Sequence, residues 1–158
     1  MRRLQQLSPA AFAVAASLLF GACTAYQPLG ATGGFRETQL SDNAYQVRVQ
    51  GNGYTSRDRT SQYLLRRCAE LTLEHGKRYF TLAGGESQNS VGAGGGMTFS
   101  FPSGQVILTI VDLKEGAFDA AIVVAQTDDV ANGRLSPAAQ KTLADLGIKR
   151  EPRKAKSQ

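Results

Sequence analysis

The chain has 158 residues, 42% apolar and 20% charged, which suits one globular domain and excludes a disordered polyelectrolyte. Its formal net charge of +5 sits at the two ends: Arg2 and Arg3 at the start, and Lys149, Arg150, Arg153, Lys154 and Lys156 against Glu151 at the finish. The body between is close to neutral, and no basic stripe interleaved with aromatics crosses it, which argues against a nucleic-acid platform.

The first segment, "MRRLQQLSPAAFAVAASLLFGAC", has a basic start, an apolar run from Ala10 to Phe20 and small residues before Cys23. The run is shorter than the roughly 20 residues a membrane-spanning helix needs, so 1–22 reads as a secretory signal. Residues 23–42 hold Pro28, Gly30, Gly33 and Gly34 without periodicity and predict a flexible tether, with Tyr26, Leu29 and Phe35 as the residues that could dock on a domain. "AYQVRVQ" alternates cleanly and predicts a strand with Tyr45, Val47 and Val49 on one face and Arg48 on the wet one. "GNG" at 51–53 breaks it. Thr55 or Ser56 then caps a long helix whose buried stripe is Leu64, Leu65, Cys68, Leu71 and Thr72, with Gly76 as its stop. On this reading Arg57, Arg59, Arg66, Arg67, Glu70 and Glu74 mostly lie off the stripe. "KRYFTLAGG" predicts a second strand, "ESQNSVGAGGG" a mobile loop, and "MTFSFPSGQVILTIVDL" a hairpin turning at "PSG". "FDAAIVVAQTDDVANG" is readable as helix or strand. "SPAAQKTLADLG" predicts a short helix with Ser136 as cap, Pro137 in the first turn and Gly147 as stop. The sum is an α+β domain over 43–148: a small, mainly antiparallel sheet, one long helix on a face, and a C-terminal helical segment. Residues 149–158 read as a basic disordered tail.

Two resemblances follow from these residues. "LFGAC" resembles the lipobox of bacterial lipoproteins, with Gly21 and Ala22 in place and Phe20 where leucine is usual. The resemblance implies that the Cys23 sulfur receives a diacylglycerol, that the chain is cut before Cys23, and that its new amino group is acylated. A disulfide from Cys23 to Cys68 is the alternative, and an ordinary cut after Ala25 is another. Thr24, in place of aspartate, points to the outer rather than the inner membrane under the common sorting scheme. The block around Gly51, Asn52, Tyr54, Thr55, Ser56, Arg59, Leu64, Leu65, Arg66, Arg67, Ala69, Glu70, Leu71 and Thr72 resembles a family of small proteobacterial envelope lipoproteins of unknown function. Cys68 stands where that family has alanine. The resemblance implies an envelope location and this fold, and supplies no catalytic residue.

The search for chemistry yields little. His75 is the single histidine and sits at a helix end, where the dipole favours its charged form. "GESQN" around Ser87 lacks the last glycine of a nucleophile elbow. "GAGGG" at 92–96 is followed by Met97 and a strand, not by the Lys-Ser/Thr of a phosphate loop. A calcium loop starting at "DDVANG" would have Val130 at a ligand position and Ala139 in the place of the bidentate glutamate, neither with an oxygen ligand. Cys68 on the apolar stripe reads as a small buried hydrophobe. No catalytic, cofactor or metal residues are expected. The densest polar set is Asn52, Tyr54, Arg59, Arg66 and Arg67, which either bonds the turn and helix start or presents a surface to a partner. The tail is either solvated or in contact with anionic head groups. The expected role is a non-enzymatic envelope binding or scaffolding module held to membrane lipid through acylated Cys23. An enzyme acting on envelope material and a small-ligand carrier are the alternatives, the latter requiring an apolar pocket.

Overall fold

The computed structural model describes residues 26–94 and 97–149, with the backbone alone over 86–94 and 97–101. The signal segment 1–22, Cys23 and residues 150–158 of the tail lie outside the described residues. Five strands form one antiparallel sheet: β1 (Gly34–Gln39), β2 (Ala44–Gln50), β3 (Tyr79–Gly94), β4 (Met97–Val111) and β5 (Phe118–Asp119), in the order β1-β2-β4-β3-β5. The helices are α1 (Arg57–Glu74), α2 (Ala120–Gln126) and α3 (Pro137–Asp145). This is the expected α+β architecture, with the long helix on one face of the sheet.

The alternation in β2 works as its sequence predicts. Tyr45, Val47 and Val49 are buried under α1 and Gln46 and Arg48 are exposed. In register, Leu108 lies opposite both Tyr45 and Leu82, and Val106 lies opposite Val47, so the inward residues of three strands form one apolar floor. Cys68, Leu71 and Leu73 of α1 join Phe80, Ile110, Ala120, Val124 and Leu143 in the same core. A satellite cluster of Val49, Tyr63 and Val130 gathers Tyr26, Phe35 and Leu64.

Helix ends follow their chemistry. Ser56 caps α1 by accepting from the Arg59 N–H at 3.1 Å, and Asp58 sits in the first turn. Gly76, at φ 71°, ends it, with Gly76 N–H donating to the Leu73 carbonyl and Lys77 N–H to that of Thr72. The same double bond closes α3, from Gly147 to Ala144 and from Ile148 to Leu143. Asp119 settles the ambiguous segment: its carboxylate accepts from the Ala121 N–H at 3.0 Å and starts α2. The chain there is a two-residue strand and then a helix.

Three expectations are corrected. Residues 26–39 are not a tether: 34–39 form β1, paired with β2 from Gly34–Gln50 to Gln39–Tyr45. The segment before β1 folds back on it, through Phe35 N–H to the Gln27 carbonyl and Leu29 N–H to the Phe35 carbonyl. "ESQNSVGAG" is strand rather than loop, because β3 runs through a register shift between Ala83 and Glu86 to Gly94. "PSG" is not a turn: Pro102, Ser103 and Gly104 lie within β4, whose hairpin partner is β3. Pro102 falls just past the last β2 pair, Gln50–Ser103, where its missing N–H leaves that ladder intact. Among the described residues, no helix is long and apolar enough to cross a membrane.

Candidate functional site

The turn before α1 is built by side chains. Asn52 Oδ1 accepts from the Tyr54 N–H and from the Thr55 hydroxyl, both at 3.0 Å, and Thr55 Oγ1 accepts from the Asn52 N–H. A Cβ on Gly51 would meet Thr55 Cβ at 2.7 Å, so glycine permits this close return. The turn pushes Tyr54 outward, 83% exposed. Arg59 lies nearby, 3.5 Å from Asp129 and over the Tyr63 ring at 5.5 Å. Asn52 therefore organises the turn, while Tyr54 and Arg59 remain at the surface.

Arg66 and Arg67 do not share that surface, which corrects the expectation for both. Arg66 is fully buried. Its Nε donates to Glu70 Oε1 at 2.7 Å, its Nη1 to the Val124 carbonyl at 2.8 Å, and its Nη2 to the Arg134 carbonyl. Asp128 Oδ1 is 3.6 Å from Nη1. Val124 lies in the last turn of α2, where carbonyls lack partners within the helix, so Arg66 serves as a cap supplied from another helix. Arg67 donates to Glu37 at 2.7 Å, to both oxygens of Glu74 at 3.2 Å and to Glu70 at 3.4 Å. Its guanidinium lies over the Phe35 ring at 4.8 Å. Burial opposes the Arg67 charge, but the bond it donates to Glu37 and the charges of Glu74 and Glu37 outweigh it and hold the group above the ordinary arginine range.

The network reaches the start of the chain through Tyr26. Its hydroxyl donates to Glu70 Oε2 at 2.6 Å, and its ring packs on Phe35 at 4.9 Å and Tyr63 at 5.6 Å. Burial first, and the Glu70 charge second, push its phenol well above the ordinary tyrosine range. Tyr26 and Glu37 thus close over the arginines of α1. Sequence reasoning missed them as members of a network. The visible signal was Glu70 at helical spacing from both Arg66 and Arg67.

The opposite face of the sheet is open. Arg36 and Arg48 are directly opposed in the β1–β2 register, as are Thr38 and Gln46. With Leu29, Gln50 and Gln105 these residues line a hollow of about 330 Å³. Like charges directly opposed across a ladder are unfavourable, and among the described side chains no carboxylate pairs with either arginine. Sequence reasoning placed Arg48 on the wet face and gave it no role.

Elsewhere the chemistry is structural. His75 Nδ1 contacts the Leu71 carbonyl at 2.8 Å and must donate to it, so in the neutral ring Nε2 accepts from the Tyr45 hydroxyl at 2.7 Å. Cys68 is free and fully buried; burial pushes its thiol up to about 12, with Arg67 opposing. Among the described residues no group of three His, Cys, Asp or Glu side chains is set to hold a metal ion. A second hollow, of about 680 Å³, is lined by Leu135, Leu143, Gly147 and Ile148 and bordered by Lys149. Comparison with protein-family models, curated proteins and solved structures finds no match to this chain.

Proposed function

We propose that this protein is a bacterial envelope lipoprotein, anchored in the outer membrane through acylated Cys23, whose domain works by binding an envelope component and not by catalysis. The anchor is supported by the sequence: the basic start, the short apolar run and "LFGAC" before Cys23. The resemblance of the block from Gly51 to Thr72 to small envelope lipoproteins supports the same location. The single observation that carries the binding role is the contrast between buried and exposed charge. Arg66, Arg67 and Tyr26 are tied together through Glu70 inside the domain, while Arg36 and Arg48 are directly opposed on an open face and meet no carboxylate among the described side chains. Donors carried on paired strands offer a recognition surface at little cost in ordering.

The anchor is tested by mass spectrometry of the mature N-terminal peptide and by fractionating cells that make Cys23→Ser. The expected results are an acylated Cys23 at the new N-terminus and loss of the variant from the membrane fraction. A Cys23→Ser protein that stays in the membrane overturns the reading.

A further inference from the structure

We infer that the hollow between Arg36 and Arg48 is the domain's contact with the anionic head groups of the membrane that holds it. The inference rests on Cys23 as the anchor. The chain from Tyr26 to Leu29 links that anchor to the hollow along the β1 edge.

The orientation follows from Tyr26. That residue is held by its bond to buried Glu70, by its packing on Phe35 and Tyr63, and by the Gln27–Phe35 main-chain bond that follows it. Only Thr24 and Ala25 separate it from Cys23. Three residue steps span at most about 10 Å, so an acylated Cys23 keeps the Tyr26 end of the domain within that distance of the bilayer surface. From Tyr26 the chain passes along the edge of β1. Leu29 bonds Phe35 through the main chain and forms one wall of the hollow, whose next residue in β1 is Arg36. The edge that the anchor draws to the bilayer is therefore β1, which carries Arg36, with Arg48 one strand in on the face turned from α1.

The chemistry of the hollow suits phosphate. Two guanidiniums stand on neighbouring strands, with the amides of Gln46, Gln50 and Gln105 and the hydroxyl of Thr38 around them. Guanidinium forks match phosphate oxygens bidentately. Among the described side chains, the acidic residues near β1 point away from the hollow or lie beyond it: Glu37 turns inward to Arg67, and Asp42 lies in the β1–β2 connection at the far end of the strand. Glu86, opposite Gln105 in the β3–β4 register, stands in the same cross-strand row as Arg36 and Arg48, two strands from Arg48. An anionic surface would also relieve the Arg36–Arg48 repulsion that the isolated domain leaves in place.

The experiment uses the acylated protein, reconstituted into vesicles of phosphatidylcholine alone or mixed with phosphatidylglycerol. Cys68 is buried, so one cysteine introduced as Gln46→Cys, or as Lys141→Cys on α3 for comparison, takes a fluorophore selectively. Energy transfer to a head-group-labelled lipid reports proximity. The expected result is stronger transfer from position 46 in phosphatidylglycerol vesicles than in neutral ones, weakened by salt, with no such gain at 141. Arg36→Gln and Arg48→Gln should each lower the ratio of close to distant domain about fivefold. Replacing the basic residues of 149–158 by glutamine should leave the difference between vesicles in place. Equal transfer in both vesicle types, a gain at 141 instead, or a difference that disappears with the tail charges overturns the inference. So does an equal response of the label to inorganic phosphate with the protein held in detergent, which would assign the hollow to a free anion. An unacylated Cys23 by mass spectrometry strikes the anchor itself, a failure distinct from a hollow that ignores lipid charge.

Discussion

Arg66 and Arg67 lie inside the domain with Glu37, Glu70, Glu74 and Asp128 around them, whereas Arg36 and Arg48 lie on the outer sheet face and meet no carboxylate among the described side chains. Both pairs are built from the same residue on rigid elements. The inner pair ties helix, sheet edge and chain start into one body, and each of its guanidiniums is bonded to several partners. The outer pair contributes nothing comparable to the fold. Charge that is buried and answered is structural; charge that is opposed, exposed and unanswered is available for a ligand.

The contrast can be broken from the inside first. Arg66→Met leaves Glu70 and Asp128 without their main counter-charge and the Val124 carbonyl without its donor; it should cost about 3–5 kcal/mol, read by denaturant unfolding. Gly34→Ala should cost about 1–3 kcal/mol and release the 26–29 segment. Gly34 sits at φ 135°, and a Cβ there would run into the carbonyls of Gln27 and Pro28. Hydrogen exchange at Leu29 and Phe35 checks it. Tyr26→Phe keeps the ring packing and removes one bond to a charged acceptor, for about 1.5–3 kcal/mol.

Tyr26 and Cys68 also set an alkaline limit. Each has a folded pKa above its unfolded value, so each contributes stability that is whole below the unfolded pKa and is lost as pH rises toward the folded one. For Cys68 the window runs from 9.0 to about 12. For Tyr26 the loss starts at about 10, its unfolded value. Thermal melts of Cys68→Ala between pH 9 and pH 12 should fall less steeply than those of the parent, and Tyr26→Phe should flatten the curve above pH 10. The smallest effect belongs to the outer pair. Arg36→Gln or Arg48→Gln should change stability by no more than about 0.5 kcal/mol, with the sign toward stabilisation at low salt. A large loss from either would erase the distinction between the two pairs.

Much of the fold was legible because the local signals agreed. The period-two run at 44–50, the Ser56 and Ser136 caps and the Gly76 and Gly147 stops all act as their chemistry suggests. β1 was hidden because its inward positions are Phe35, Glu37 and Gln39, and a charged residue facing inward disguises the alternation. Glu37 faces in because Arg67 is there, and that partner sits on another element. The glycine-rich half of β3 carries almost no pattern in its sequence, and what shows it as a strand is its main-chain pairing with β4. "PSG" has turn chemistry, but the long partner strand keeps the backbone extended. The buried arginines failed for a related reason. At i,i+4 spacing Arg66–Glu70 has the form of a solvated pair, and nothing local in the helix shows that α2 and the chain start cover it. The outer hollow needed the β1–β2 register, which brings Arg36 opposite Arg48.

The docking of Tyr26 has a mechanical meaning. A pull applied at Cys23 does not load the sheet at once; it meets the Tyr26–Glu70 bond, then the Gln27–Phe35 bond, then that of Leu29 with Phe35, one after another. Contacts loaded singly peel at low force. Once residues 26–33 have peeled away, eleven residue steps separate Cys23 from β1, a leash of roughly 35–40 Å. The strand pairings of the sheet do not include residues 26–33, so the same domain can stand close to residue 23 or well away from it with its five strands still paired.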